Sequence, residues 1–384
     1  MKKIGFIPLR KGSKGIPNKN KRKMVGRPLY TWVLGEALFS NLDEVYVYTD
    51  DQEIIDFIAK EYHWTNKVKA LLRSEESASD VASTELAMLE FCNKINYDFD
   101  VFCLLQATSP FTKREDINTC LSKLDNEYDS ALTVVNTHRF LWNADGTPIN
   151  YNPQARPRRQ DFEGLLVENG AVYTITKNAL RQTKNRLGHK VAVVKMPEET
   201  LQEIDSENDW IAVEQLLIER QIRAKKSKKI THVVLDVDGV FTDGTITYTK
   251  DGEHTKKFDM RDGMGLEILR QFNVEVMVMT SEQSELVAKR MQKLKLKNVY
   301  LGVKDKYSLL QNIIQENNLC INNFAYLGDD VNDLTNICSV GWSLAPNNAT
   351  DIVKKNADIV LSKNSGAGAI REACQFIMNY NKRF

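Results

Sequence analysis

Leu9-Arg10-Lys11-Gly12-Ser13-Lys14-Gly15-Ile16-Pro17-Asn18-Lys19-Asn20 lies between a short apolar run, Ile4 to Leu9, and an apolar-periodic segment, Leu29 to Phe39. The run reads as a buried first strand and the segment as the helix after it. Gly12 and Gly15 allow a tight turn and let backbone N–H groups approach a ligand. Arg10, Lys11, Lys14 and Lys19 place four cations within ten residues, with Ser13 and Asn20 as neutral donors. A strand, loop and helix of this composition suit a triphosphate. The spacing is not that of a Walker A loop, because Lys14 stands before Gly15. Glycine count alone favours a basic surface turn; the pattern L-R-K-G-S-K-G-I-P-x-K-N is far more particular than that.

The residues that follow keep alternating between strand and helix patterns. Val45 to Thr49 is a second strand ending at Asp50-Asp51, and Ile54, Ile55, Ile58 and Ala59 give helical spacing. Val101 to Leu105 is a continuous apolar run of the parallel-strand type, closed by Gln106-Ala107-Thr108-Ser109-Pro110. Ala131 to Val135, Ala171 to Ile175 and Val191 to Val194 are further strands. Such alternation predicts a mainly parallel sheet covered by helices, with ligands beyond the carboxyl ends of its strands.

At 384 residues the chain has room for two domains with substantial cores. Its 52 basic and 51 acidic residues leave a formal charge of +1, so no global field favours nucleic acid or a membrane. Cys92, Cys103, Cys120, Cys320, Cys338 and Cys374 are scattered, with no C-x-x-C pair and no paired histidine. A reduced cytoplasmic protein is therefore expected, rather than a disulfide framework or zinc site. Met1-Lys2-Lys3 leads straight into a strand and no apolar run has spanning length, so neither signal peptide nor membrane span is expected.

Trp210 to Ile222 is an amphipathic helix, and Arg220 to Lys229 carries six cations in ten residues. Without interleaved aromatics, that run reads as a solvated linker rather than a nucleic-acid arm. Domains are expected at 1–224 and 230–384, joined by 225–229. The second half restarts with a strand from His232 to Val237, and Thr245 to Tyr248 pairs with Thr255 to Phe258 across Asp251-Gly252. Helix 262–271, strand 274–279, helix 284–295, strand 298–301, helix 305–317, strand 324–327 and a final helix at 367–380 follow. The halves are not repeats of each other.

Asp236-Val237-Asp238-Gly239-Val240-Phe241-Thr242 closes the strand that begins at His232. Two aspartates at this spacing project from one side of a strand. Behind them, in order, come Thr280 at a strand end, Lys306 in Lys304-Asp305-Lys306, and Gly328-Asp329-Asp330 with Asp333. The set resembles the haloacid dehalogenase superfamily of phosphatases. The resemblance implies a Rossmann-like α/β domain, with Asp236 as the nucleophile that becomes an aspartyl phosphate and Asp238 as general acid/base. It also implies that Thr280 and Lys306 hold the phosphoryl group, and that Asp236, Asp329 and the backbone carbonyl of Asp238 bind Mg²⁺. The short hairpin near 245–258 leaves no room for a cap domain. That architecture, with Arg261-Asp262-Gly263, is similar to the 3-deoxy-octulosonate-phosphate and nonulosonate-9-phosphate phosphatases, and implies a homotetramer. Ser365-Gly366-Ala367-Gly368-Ala369-Ile370-Arg371-Glu372 follows that group's G-G-R-G-A-x-R-E, with Ala367 in place of its first arginine.

Over roughly residues 4–217 the chain resembles the CMP-acylneuraminate synthetases. The resemblance rests on the loop at 9–20 and on Leu105-Gln106-Ala107-Thr108-Ser109-Pro110. It extends to Arg156-Pro157-Arg158-Arg159-Gln160-Asp161 with Glu168-Asn169-Gly170, and to Gln202-Glu203-Ile204-Asp205. It implies a nucleotidyltransferase-type α/β sheet that uses CTP, with Arg10 and Lys19 catalytic. Gly12, Ser13, Lys14, Asn20 and Ser83 are then substrate-binding, as are Gln106 and Asn169. Arg159 is the choice for the sugar carboxylate, since a planar guanidinium holds a carboxylate bidentately. Val167 stands where some bacterial members have a second arginine. The family's metal-binding D-x-D appears as Glu203 and Asp205, and an extended segment puts both carboxylates on one side, which suits Mg²⁺.

The combined expectation is a bifunctional enzyme with small-molecule substrates and no nucleic-acid or membrane partner. It would convert a nonulosonate and CTP to the CMP-sugar and pyrophosphate, and would dephosphorylate the nonulosonate 9-phosphate. Its transferase domains would make dimer contacts within the tetramer. One alternative is a transferase alone with a catalytically silent C-terminal oligomerisation domain. Another is nucleic-acid binding through the basic run, which the neutral net charge disfavours. N-acetylneuraminate, its deaminated analogue and related nonulosonates all remain candidate sugars.

Overall fold

A computed structural model of the protein describes residues 1–13, 15–124, 127–250 and 252–384, with backbone alone at 252–254. Packing divides the chain into Met1–Arg22 with Pro28–Val213, and Lys23–Arg27 with Glu214–Phe384. The sequence expectation of a break after residue 224 follows the end of the helix Glu207–Ala224; the packing instead divides within that helix.

The main sheet of the first unit has seven strands among the described residues: β1 Lys3–Pro8, β2 Glu44–Thr49, β3 Val68–Leu72, β4 Val101–Leu105, β5 Ser130–Thr137, β6 Leu165–Thr176 and β7 Val191–Met196. Their order is β3-β2-β1-β4-β6-β5-β7. β6 runs antiparallel to β4 and β5, and the other pairings are parallel. The sheet has a hydrophobic core on each face. Ile4, Phe6, Phe102 and Leu104 point to one core, while Ile7, Val101, Cys103 and Leu105 point to the other. Burial on both faces is why these strands are continuous apolar runs rather than alternating ones. β3 escaped the sequence reading for the same reason in reverse: it lies at the sheet edge, and Lys69 and Leu72 are exposed.

The second unit contains β8 His232–Leu235, β9 Glu275–Met279, β10 Asn298–Tyr300, β11 Phe324–Leu327, β12 Trp342–Ala345 and β13 Ile359–Val360. They form a parallel sheet in the order β10-β9-β8-β11-β12-β13. Here too alternate residues serve opposite cores, Val233 and Leu235 on one face and Val234 on the other. The hairpin is shorter than its sequence pattern suggested: Thr247–Thr249 pairs with Gly252–Thr255, and Thr247 lies opposite Thr255. Asp251 of the expected turn lies outside the described residues.

The basic run is not a uniformly solvated linker. Lys225 donates to Ser343 Oγ at 3.1 Å and forms an ion pair with Asp358, so its cation belongs to the folded unit. Among the described residues, no helix is long and apolar enough to cross a membrane.

Candidate active sites

β1 and β4 are parallel neighbours, so their carboxyl ends put the loop at 9–20 beside the segment starting at Gln106. A cavity of about 310 Å³ opens there, lined by Arg10, Gly12, Ser13, Lys19, Asn20, Gln106 and Thr108 among others. A second, of about 240 Å³, is lined by Gln106, Thr108, Ser109, Asn169, Gly170, Glu203 and Asp205 among others. The two cavities share Gln106 and Thr108. Ile204 is buried between exposed Glu203 and Asp205, which turns both carboxylates outward together. Lys19 Nζ donates to Ile204 O at 2.6 Å and stands 3.4 Å from Asp205 Oδ1, tying the basic loop to the acidic segment. Two outward carboxylates of this kind fit a hard cation.

The loop is shaped differently from the sequence expectation. Neither Gly12 nor Gly15 has positive φ; Asn18 does, at 53°. A Cβ at Gly15 would stand 2.2 Å from Asp205 O, so that glycine serves a close approach rather than a turn. Open space surrounds the equivalent point at Gly12. Asn20 Nδ2 donates to Arg10 O at 3.1 Å across the loop, and Arg10 pairs with Asp80 at 2.8 Å. Lys14 lies outside the described residues.

Three other expected site residues are placed as follows. Asn169 is buried in the cavity wall, where Nδ2 donates to Thr200 Oγ1 at 3.0 Å and Oδ1 accepts from Thr133 Oγ1 at 2.7 Å. Ser83 accepts from Leu86 N at 3.1 Å as the cap of a helix, and its neighbours Ala82 and Thr84 line the first cavity instead. Arg159 is exposed in the short turn Arg159–Asp161 and lines neither cavity. Arg73, missed in the sequence, does line the first cavity. It is buried, donates to Leu9 O at 3.3 Å and Ser77 Oγ at 3.1 Å, and that burial lowers its pKa. No local pattern marks it, because β3, which it directly follows, lacks a full apolar signature.

In the second unit, parallel β9, β8 and β11 deliver Thr280, Asp236 and Asp329 to one edge. Lys306 begins the helix Lys306–Glu316 and is buried, with Nζ 2.8 Å from Asp236 Oδ1 and 2.7 Å from Asp333 Oδ1. Asp333 also accepts from Tyr326 OH at 2.7 Å and from Asp329 N at 3.1 Å. Oxygens of Asp236, Asp329 and Asp333 lie within 4.8 Å of one another. Burial first, and Asp333 second, push Asp236 up to about 7 and Asp329 up to about 8. Asp329 Oδ1 and Asp238 Oδ2 are buried without a hydrogen-bond partner. Clustered acidic oxygens with unmet bonding capacity fit a divalent cation, with Asp236 and Asp329 as the side chains to hold it.

Strand alternation does not align Asp236 with Asp238, because β8 stops at Leu235. A turn follows instead: Val237 O accepts from Val240 N at 3.2 Å and Phe241 N at 2.9 Å. Lys256, from the hairpin side, pairs with Asp238 and was not singled out by its spacing. Thr280 is buried, and its Oγ1 accepts from Glu282 N at 3.2 Å.

Residues 4–210 match the family model described as cytidylyltransferase, and residues 298–373 match haloacid dehalogenase-like hydrolase. N-acylneuraminate cytidylyltransferase B of Danio rerio is 31% identical over 393 residues, covering 99% of this chain and 91% of that relative. The 3-deoxy-D-manno-octulosonate 8-phosphate phosphatase of Haemophilus influenzae is 34% identical over 154 residues, covering 40% of this chain and 86% of that relative. A cobalt-bound structure of the deoxy-D-mannose-octulosonate 8-phosphate phosphatase from Haemophilus influenzae is 34% identical, covers 40% of this chain and 90% of that one, and has a TM-score of 0.39. The chain belongs to the cytidylyltransferase family, as an enzyme that also carries a haloacid dehalogenase-like phosphatase.

Proposed function

We propose that residues 1–224 convert CTP and a free nonulosonate to the CMP-sugar and pyrophosphate, and that residues 230–384 first remove a 9-phosphate from the same sugar. The observation that carries the transferase reading is the pair of cavities joined at Gln106 and Thr108, one edged by Arg10 and Lys19, the other by Glu203 and Asp205. The first suits the nucleotide and the second the sugar. The anomeric hydroxyl attacks the α-phosphorus and pyrophosphate leaves, while Arg10, Lys14 and Lys19 balance the charge. Ser13, Asn20 and Gln106 orient the reactants, so positioning supplies much of the rate.

In the phosphatase, the Asp236 carboxylate attacks phosphorus, and the departing sugar oxygen takes a proton from Asp238. Asp238 then draws a proton from the water that hydrolyses the aspartyl phosphate. Lys306 and Thr280 hold the phosphoryl oxygens. Glu203 and Asp205 in one domain, and Asp236, Asp329 and the Asp238 carbonyl in the other, would hold Mg²⁺, which when bound would supply charge neutralisation.

The proposal includes a cytoplasmic homotetramer built through the phosphatase, with dimer contacts through the transferase. Exposed Trp142, Ile149, Leu165 and Leu166 support those dimer contacts, and Arg159 would grip the sugar carboxylate within the dimer. Dephosphorylation comes first because a cavity shaped for a neutral tail would otherwise have to desolvate a phosphate dianion.

One reaction mixture tests the sequence of events. Given nonulosonate 9-phosphate, CTP and Mg²⁺, the parent should yield CMP-sugar, phosphate and pyrophosphate. Asp236→Asn should make CMP-sugar from the free sugar alone. Equal CMP-sugar from the phosphorylated substrate in both chains would refute the order. No phosphate release by the parent from any sugar phosphate would make the second domain a silent module.

A further inference from the structure

Lys23–Arg27 packs with the phosphatase unit, although it follows the nucleotide loop in sequence. Its contacts fall on two segments that hold Lys306 in place. On one side, Arg27 Nη2 donates to Asp305 Oδ2 at 2.6 Å and to Ser308 Oγ at 2.7 Å, and its guanidinium lies 4.9 Å from the centre of the Tyr307 ring. Arg27 and Asp305 are each only 3% exposed. Asp305 caps the helix that Lys306 begins, its Oδ1 accepting from Ser308 N at 3.3 Å. On the other side, Thr335 Oγ1 donates to Val25 O, two residues beyond Asp333. Gly26, at φ +86°, lies so close to Val331 that a Cβ would stand 1.8 Å from the carbonyl oxygen. No other residue type fits there without moving one backbone from the other.

Burying an ion pair is an expensive way to gain stability, because desolvating two charges offsets most of their attraction. What Arg27 adds is geometry. One guanidinium nitrogen, Nη2, bridges the cap residue and the third residue of one helical turn, and that turn fixes where the Lys306 ammonium reaches. A lysine would offer a point charge, and an apolar side chain of equal length would offer none.

We propose that Arg27 is a positioning residue for phosphate release, acting through Asp305 to hold Lys306 against Asp236 and the phosphoryl group. The proposal rests on the phosphatase reading of that cluster. It assigns a residue of the N-terminal sequence to the chemistry of the C-terminal sheet.

The test uses the full-length chain with Mg²⁺, p-nitrophenyl phosphate and 3-deoxy-octulosonate 8-phosphate as probes. Cytidylyl transfer, neither of whose two cavities Arg27 lines, and a thermal melt serve as folding controls. Arg27→Met should lower kcat for phosphate release by about tenfold or more, with KM moving far less, because a small misplacement of a charged group acts on the transition state. Arg27→Lys should recover part of the loss. Adding Asp305→Asn to Arg27→Met removes the stranded carboxylate, and should regain about threefold or more. A packing role would show neither rescue.

Arg27→Met within twofold of a parent that hydrolyses the probes overturns the proposal alone. So does a loss that neither rescue relieves. Should Arg27→Met fail to fold, Asp305→Asn by itself, nearly isosteric, carries the test, and an unchanged kcat there overturns the idea. A parent inert towards both probes and towards nonulosonate 9-phosphate removes the phosphatase reading, and the positioning role with it.

Discussion

Lys306 and Asp333 meet at 2.7 Å with neither side chain exposed, and Asp236 approaches the same ammonium at 2.8 Å. One buried cation thus serves two buried carboxylates. Lys306→Met would leave both uncompensated, a loss of about 3–5 kcal/mol for breaking a buried pair from one side. The phosphatase should melt markedly earlier and release no phosphate, while nucleotide transfer survives below that temperature. Calorimetry with paired assays measures this, and an unshifted melt would contradict the geometry.

Magnesium should protect the phosphatase more as pH rises. Burial pushes Asp236 up to about 7 and Asp329 up to about 8, both far above the usual aspartate range. Groups raised in this way contribute stability below that range, and the contribution is lost as pH climbs through 7 and 8. A cation held by the ionised forms offsets the loss, and its binding releases protons. The melting-point difference between Mg²⁺ and a chelator should be larger at pH 8 than at pH 6. Equal differences would remove these two groups from the metal site.

Arg73 lines the first transferase cavity and donates to Leu9 O and Ser77 Oγ. Arg73→Met removes these bonds, each worth about 1.5–3 kcal/mol when a charged group is involved. The KM for CTP should rise by roughly tenfold or more, the equivalent of about 1.4 kcal/mol. Phosphate release should stay at the parental rate. Unchanged CTP kinetics would place Arg73 in the fold only.

Glu203 and Asp205 flank buried Ile204 and line the second cavity. Glu203→Gln and Asp205→Asn should each raise the Mg²⁺ concentration needed for nucleotide transfer, by an amount a magnesium titration reads directly. Neither should alter the Mg²⁺ requirement of phosphate release. Parental titration curves from both variants would move the metal elsewhere.

Much of the fold was written in local pattern. Continuous apolar runs such as Val101–Leu105 mark strands buried on both faces, and the residues just past such runs fall at the carboxyl edge where loops gather. That pattern places Arg10, Gln106, Asp236, Thr280 and Asp329 near strand ends. Local pattern also misled where another force decided: β3 sits at an edge and lacks a full apolar signature, and the strand before Asp236 and Asp238 ends at Leu235, so both lie in the turn beyond it.

Periodicity reports only what neighbours within a few residues share. Arg73 at Leu9, Lys256 at Asp238, Lys225 at Asp358 and Asp333 at Lys306 are long-range pairings, and no spacing encodes them. The sequence by itself determined two α/β sheets and the chemistry at their strand ends. Tertiary structure alone decided which charges were buried together, because desolvation makes each buried charge depend on its partner, and for Arg27 that partner, Asp305, lies 278 residues away.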